Sequence, residues 1–210
     1  MTPDHFVKQF GISKASAILR TDNQEKAALA MEAAIRGGFT ICEFTLTIPG
    51  AYDLVKYFSR RKDLIVGTGT VMDVKDAQQS VEAGAKFLVS PVMDVDVIVA
   101  ANQLGVASMP GTHTPTEMLQ AQRAGAQLCK LFPAPNAGPA WVSAVLGPMP
   151  SLKIVPTNGV DEHNAGQWIA AGAYAVGYVA TLFKPEDIKS GNWDAIEERA
   201  KRCLAAAQTR

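Results

Sequence analysis

The chain is poor in the residues that build disulfide frames and metal sites. It has three cysteines in 210 residues, Cys42, Cys129 and Cys203, far apart and set among apolar neighbours. That pattern argues against a disulfide scaffold or zinc cluster and reads as three reduced thiols in a cytoplasmic protein. Histidine is equally scarce. His5, His113 and His163 form no H-x-H or H-x-x-x-H pair, so no metal site is expected. Neither sign of charge is in excess, with 20 basic and 20 acidic residues, which leaves no footprint for nucleic acid or anionic lipid. No apolar run approaches the roughly 20 residues that span a bilayer. The N-terminal MTPDHFVKQFG lacks the basic and apolar segments of a signal peptide. No G-x-G-x-x-G follows the first strand-like run, which disfavours an open dinucleotide-binding sheet. What remains is a soluble single domain over residues 1–210, long enough for one sizeable core.

What the chain does have is rhythm. Short apolar runs recur roughly every 20 residues: SAILR, ICEFTL, LIVGTG, KFLVS, GVASM, QLCKLF, KIVPT and YAVGYVA. Most gaps hold an amphipathic stretch of helical period, such as NQEKAALAMEAAIR. Eight strands alternating with helices indicate a compact (β/α)8 barrel. An internal grammar supports it: RGGFTICEFT, EAGAKFLVSP, QLGVASMPG, RAGAQLCKLFP and AAGAYAVGYV each run from helix end to glycine to strand. Gly38, Gly84, Gly105, Gly125 and Gly172 fit the left-handed position that ends a helix.

The repeat supplies a register. Five residues past the capping glycine stand Glu43, Val89, Lys130 and Gly177, on the second, fourth, sixth and eighth runs. Barrel interiors are layered, each layer drawing on alternate strands, so these four are candidates for one layer. Strands two and six face each other, which sets Glu43 opposite Lys130, with Val89 and Gly177 leaving room between. The period of two turns Cys42 and Cys129 outward to the helices.

A strand lysine either snorkels to the rim or sits desolvated. The flanking Leu128, Leu131 and Phe132, the position near a strand's C-terminal end and the facing carboxylate favour the second. Burial disfavours the ammonium form, and a neutral amine attacks carbonyls to form a Schiff base. Glu43, the only acid in TICEFTLT, reads as a general acid/base or as an ion-pair partner. Other acids read as caps: Thr114 and Glu117 form a capping box with Pro115 at the first helical position, and Asp73, Asp94 and Asp161 precede helical patterns. GTGT, PTNG and VGYV end strands three, seven and eight, and such glycine-bearing loops seat phosphate in this fold. Arg20 ends SAILR, either as a solvated rim residue or as a cation for a carboxylate or phosphate.

Taken in order and spacing, EFTLTIPGA, GTGTV, VSPV, PGTHTPTE, KLFPA and PTNGV resemble the class I aldolases that cleave 2-keto-3-deoxy-6-phosphogluconate (KDPG). The resemblance runs from SAILR nearly to the C-terminal helix. It implies a homotrimer of (β/α)8 barrels with no metal or organic cofactor, cleaving a keto acid to pyruvate and glyceraldehyde 3-phosphate. It makes Lys130 the Schiff-base lysine and Glu43 the acid/base, and puts Thr70, Pro91, Phe132 and Thr157 on pocket-lining positions. Three positions depart from the family's pattern. Thr47 stands where studied members carry a carboxylate-binding arginine. Asn158 replaces a glycine before Gly159 in the phosphate turn, and Gly177-Tyr178-Val179 replaces a GGS, losing a hydroxyl. These leave the lysine chemistry untouched and bear on the distal substrate group. Alternatives are 4-hydroxy-2-oxoglutarate cleavage or oxaloacetate decarboxylation through the same imine, a metal-free phosphosugar isomerase using Glu43 as base, and a non-catalytic binding protein on the same fold.

Overall fold

In the computed structural model, which describes residues 1–209, the alternating pattern becomes alternating elements. The strands are β1 (Ala15–Leu19), β2 (Ile41–Thr45), β3 (Ile65–Gly69), β4 (Phe87–Val89), β5 (Ala107–Met109), β6 (Gly111–Thr112), β7 (Cys129–Leu131), β8 (Ile154–Pro156) and β9 (Val176–Tyr178). The helices are α1 (Pro3–Ser13), α2 (Gln24–Arg36), α3 (Ala51–Phe58), α4 (Val74–Glu82), α5 (Val95–Gln103), α6 (Pro115–Arg123), α7 (Ala140–Leu146), α8 (Ala165–Ala170), α9 (Pro185–Ser190) and α10 (Trp193–Gln208). All strand pairs are parallel. Six strands run in the order β5-β4-β3-β2-β1-β9 and three in the order β6-β7-β8.

The single fifth strand expected from GVASM is two pieces. Pro110 has no N–H for the ladder, so it separates β5, paired to β4, from β6, paired to β7. The Pro110 carbonyl still accepts from Lys130 N–H at 2.9 Å, and β5 with β6 occupies one barrel position. A parallel bridge between Thr157 and Gly177 closes the ring from β8 to β9. The fold is a (β/α)8 barrel.

The register holds. Gly38, Gly84, Gly125 and Gly172 sit at φ 109°, 109°, 99° and 101°, a region where a Cβ would be strained, so each of these helix–strand turns has the same geometry. The inner cluster contains Ile41, Phe87, Val89, Ala107, Met109, Leu128, Val155 and Ala175, while Cys42, Leu88, Cys129 and Tyr178 belong to the outer layer against the helices. The three thiols are free and buried, and burial pushes each up to about 12, so they stay protonated and inert. The Tyr178 hydroxyl donates to the Cys203 carbonyl of α10 at 2.7 Å, tying the last strand to the last helix.

The N-terminal mouth is plugged. Thr2 caps α1, which lays Phe6 and Phe10 one turn apart over the barrel floor. Phe6 stacks on Phe87 with centroids 4.5 Å apart and planes 11° apart. The Tyr174 hydroxyl donates to the Val7 carbonyl at 2.8 Å and Lys14 Nζ to the Tyr174 carbonyl at 3.1 Å, which holds the plug in place. No helix among the described residues is long and apolar enough to cross a membrane.

Candidate active site

Glu43 is the middle residue of β2 and Lys130 of β7, both on the inner face. Glu43 is 0 % and Lys130 7 % exposed, so the lysine does not snorkel to the rim. In the ladder Glu43 sits between Ile18 and Gly67, and Lys130 between Gly111 and Val155. Among the described residues neither Glu43 oxygen has a hydrogen-bond partner, so the two groups interact through space without forming a closed ion pair.

Gly69, on the neighbouring strand, makes room for Glu43; Gly177 does not. A Cβ at Gly69 would overlap Glu43 Oε1. The space beside Gly177 is filled by the side chains of Thr157 and Ile18, so this glycine admits close packing where open room is expected. An interior side chain leans over the strand beside it, so its clearance is set by the adjacent strand.

Burial dominates the electrostatics. It pushes the Lys130 amine below the usual lysine range, with Glu43 pulling upward and Arg20 adding to the depression. It pushes the Glu43 carboxyl above the usual carboxylate range, against the fields of Lys130 and Arg20. Both groups thus move toward their uncharged forms. The Phe132 ring, two residues on, covers the amine, with Nζ 4.8 Å from its centroid.

Arg20, just past β1, is exposed, and its guanidinium reaches across the end of β2 to donate to Thr70 Oγ1 at 3.4 Å. Thr70 is held at φ 62°. Pro91 and Phe132 share a mouth cavity of about 340 Å³ that also takes in Gly111, Thr112 and His113. Thr47 is exposed, and its hydroxyl is 2.8 Å from that of Thr45, one pleat above Glu43. Thr157 is fully buried with its hydroxyl unpartnered. Asn158 adopts φ 58° and Gly159 φ 114°, so the turn keeps a left-handed pair with asparagine in it. The Val179 carbonyl accepts from Leu182 and Phe183 N–H at 3.1 and 2.9 Å, and the Thr181 hydroxyl donates to the Val160 carbonyl at 2.6 Å, joining the last two mouth turns.

The expected caps are observed with one correction. Thr114 and Glu117 form the capping box, and Asp73 and Asp94 cap α4 and α5. Asp161 does not cap α8; its carboxylate accepts from His163 and Asn164 N–H at 2.8 and 2.9 Å in a turn before the helix, where Asn164 is the flanking residue. Sequence patterns did not single out Gly69, Thr112 or His113. The available signal was that each lies inside a family motif, Gly69 in GTGTV and Thr112 and His113 in PGTHTPTE.

A buried amine and a buried carboxyl at the open end of a plugged (β/α)8 barrel define an enzyme built for carbonyl chemistry. The model of the family described as KDPG and KHG aldolase matches residues 8–199. A 2-dehydro-3-deoxy-phosphogluconate aldolase of Pseudoalteromonas atlantica is 32% identical over 178 residues, covering 84% of this chain and 83% of its own. A probable 2-dehydro-3-deoxy-6-phosphogalactonate aldolase of Rhizobium meliloti is 33% identical over 193 residues, covering 90% and 89%. The KDPG aldolase of Legionella pneumophila, solved with pyruvate captured as a covalent carbinolamine, superposes with TM-score 0.80 at 28% identity, over 93% of this chain and 97% of that one. The chain belongs to the KDPG and KHG aldolase family, and it is a lyase.

Proposed function

We propose that this protein is a class I aldolase that cleaves KDPG to pyruvate and glyceraldehyde 3-phosphate, with Lys130 as the Schiff-base residue and Glu43 as acid/base. One observation carries the reading: a lysine and a glutamate, both buried and both driven toward neutrality, share the inner wall of the barrel. The neutral Lys130 amine adds to the C2 carbonyl, whose oxygen gains a proton, giving a carbinolamine. The Glu43 carboxyl protonates that hydroxyl, which leaves as water, and positive charge stays on nitrogen. Glu43, now a carboxylate, takes the C4 hydroxyl proton as the C3–C4 bond breaks. The bonding pair flows into the imine, leaving an enamine and the aldehyde. Protonation at C3 and hydrolysis then release pyruvate and restore Lys130.

Arg20 is the cation for the substrate carboxylate, replacing an arginine absent at Thr47. Thr70, Pro91 and Phe132 line the pyruvate half. Thr157, Asn158, Gly159, Gly177 and Val179 face the distal phosphate, which meets backbone more than hydroxyls. Borohydride reduction in the presence of pyruvate tests the mechanism: a mass adduct on Lys130 is expected, and none with Lys130→Met. An adduct-free wild-type enzyme would sink it. Equal kcat/KM for phosphorylated and unphosphorylated 4-hydroxy-2-keto acids would overturn the substrate assignment.

A second reading, the C4 epimer, is favoured by the 33% identical Rhizobium relative named for the galactonate compound. Relative kcat/KM for the two epimers decides between them. The protein acts in the cytoplasm as a homotrimer, assembled through exposed apolar residues on the β3–α4 and β4–α5 side. Met72, Val74, Val92, Val95 and Val99 are 49, 37, 47, 48 and 39 % exposed, with Val95 and Val99 one turn apart on α5. Sedimentation of Val95→Glu/Val99→Glu should give monomers; an unchanged trimer would put the interface elsewhere.

A further inference from the structure

His113 lies outside every role assigned above, yet it is fixed at two points. Its backbone N–H donates to Glu117 Oε2 at 2.8 Å, and the same oxygen takes the Thr114 N–H at 2.8 Å and hydroxyl at 2.9 Å. Its ring Nδ1 lies 3.0 Å from the Pro133 carbonyl. A carbonyl only accepts, so Nδ1 carries the hydrogen.

Pro133 follows Phe132, whose ring covers the Lys130 nitrogen. Beyond it the chain has no helix or strand until α7. The segment from Pro110 to His113 braces the strand and turn around the amine from one side, and β8 braces the strand from the other. Lys130 N–H donates to the Pro110 carbonyl at 2.9 Å, Phe132 N–H to the Thr112 carbonyl at 3.1 Å, and the Thr112 hydroxyl to the Lys130 carbonyl at 3.0 Å. Those bonds fix the strand. The turn after it is held by the His113 ring on one side and by the Ala134 N–H, which donates to the Asn158 carbonyl at 3.2 Å, on the other.

The position of that ring matters to chemistry because an aromatic face attracts a cation. Burial works against every positively charged state of the Lys130 nitrogen, and the imine formed when water leaves is one of them. A ring held against the nitrogen lowers the energy of that intermediate without adding a polar group to the pocket.

We propose that His113 is a positioning residue for the imine step: its Nδ1–H holds the Phe132–Pro133 turn so that the Phe132 ring stays over the Lys130 nitrogen. The proposal rests on Lys130 being the Schiff-base lysine. The Nδ1 edge is engaged with backbone, and the proposal assigns the ring a holding role only.

The test is a double-mutant cycle with a rescue, read by the rate of pyruvate-dependent borohydride trapping. Trapping on wild type and its loss in Lys130→Met first establish the lysine reading on its own. His113→Ala then slows trapping roughly five-fold, the scale of one lost hydrogen bond. His113→Asn, whose side-chain amide offers an N–H one bond beyond Cγ as Nδ1 does, recovers most of that loss. In a Phe132→Leu background, His113→Ala has no further effect, because the cation no longer has a ring to meet. Two results overturn the proposal while leaving the lysine reading intact: an equal loss with and without Phe132, or His113→Asn as slow as His113→Ala. His113 is exposed, and thermal melts of each variant within a few degrees of wild type separate the effect from misfolding.

Discussion

One added methyl, Gly69→Ala, separates the position of Glu43 from its presence. An ideal Cβ at Gly69 overlaps Glu43 Oε1 and stands 2.9 Å from Cδ and 3.2 Å from Cγ. Carbon contacts are optimal at about 3.5–4.0 Å, so the carboxyl must swing away by about an ångström. Its surroundings are fully buried, and forcing extra volume into such a site costs about 1–3 kcal/mol. For catalysis the displacement is more serious, since a misplacement of about 1 Å costs on the order of 100-fold. Gly67→Ala is the matched control, two residues back on the same face. Its methyl would meet three Phe87 ring atoms at 2.6 Å, and its nearest contacts include no atom of the carboxyl. Pyruvate release in a coupled assay should fall about 100-fold in Gly69→Ala. In Gly67→Ala it should fall only a few-fold, with a similar loss of stability in urea. Retention of kcat within about three-fold in Gly69→Ala, or equal losses in both variants, would refute the positional requirement.

The pKa directions carry signed consequences. The raised Glu43 value gives stability below the ordinary glutamate range that is lost as pH rises toward the folded value. The lowered Lys130 value gives stability above the ordinary lysine range that is lost as pH falls toward the folded value. Near neutral pH both groups cost stability, so Glu43→Gln/Lys130→Met should gain about 1–4 kcal/mol in urea while losing all activity. A lower urea midpoint would contradict this. Arg20 depresses Lys130, so Arg20→Gln should move the acid limb of the imine-trapping rate to higher pH; a shift to lower pH would reverse the assignment. At the sealed end, Phe6→Ala should cost about 3–5 kcal/mol by denaturation, with kcat near wild type while the barrel stays folded.

Much of this was legible because the repeat is geometric. Four capping glycines with nearly equal positive φ start four strands at the same phase, and counting five residues then reaches the inner face each time. In the fifth unit the inner residues are Ala107 and Met109, two and four past Gly105, because odd barrel strands feed the alternate layer. There Pro110 also interrupts the ladder. What was not legible depends on contacts distant in sequence. The reach of Arg20 over β2 to Thr70 and the His113–Pro133 bond join different loops, and no local period encodes them. The α1 plug had a signal, Phe6 and Phe10 at helical spacing, but its purpose shows only once Phe87 stands above it. Asp161 looked like a helix cap because an Asp before a helical pattern and an Asp closing a turn present the same local sequence.

The distribution of glycine on the inner wall accounts for how a glutamate side chain fits inside a close-packed barrel. Inner positions of the third and fifth barrel strands include Gly67, Gly69 and Gly111, and a Cβ at each would strike a different neighbour: the Phe87 ring, the Glu43 carboxyl and the Pro91 carbonyl. Those neighbours lie on or just past the second and fourth strands. Here the second and fourth strands carry the bulk while the third and fifth yield volume; at Gly177 the relation is reversed, with Thr157 and Ile18 filling the space. None of these three glycines has a positive φ, so backbone conformation does not explain them. Side-chain clearance does. Strands hold a side chain more rigidly than loops, and the fixed Glu43 carboxyl keeps unpartnered oxygens at a standing cost to stability. The site is therefore specified as much by where side chains are missing as by Lys130 and Glu43 themselves.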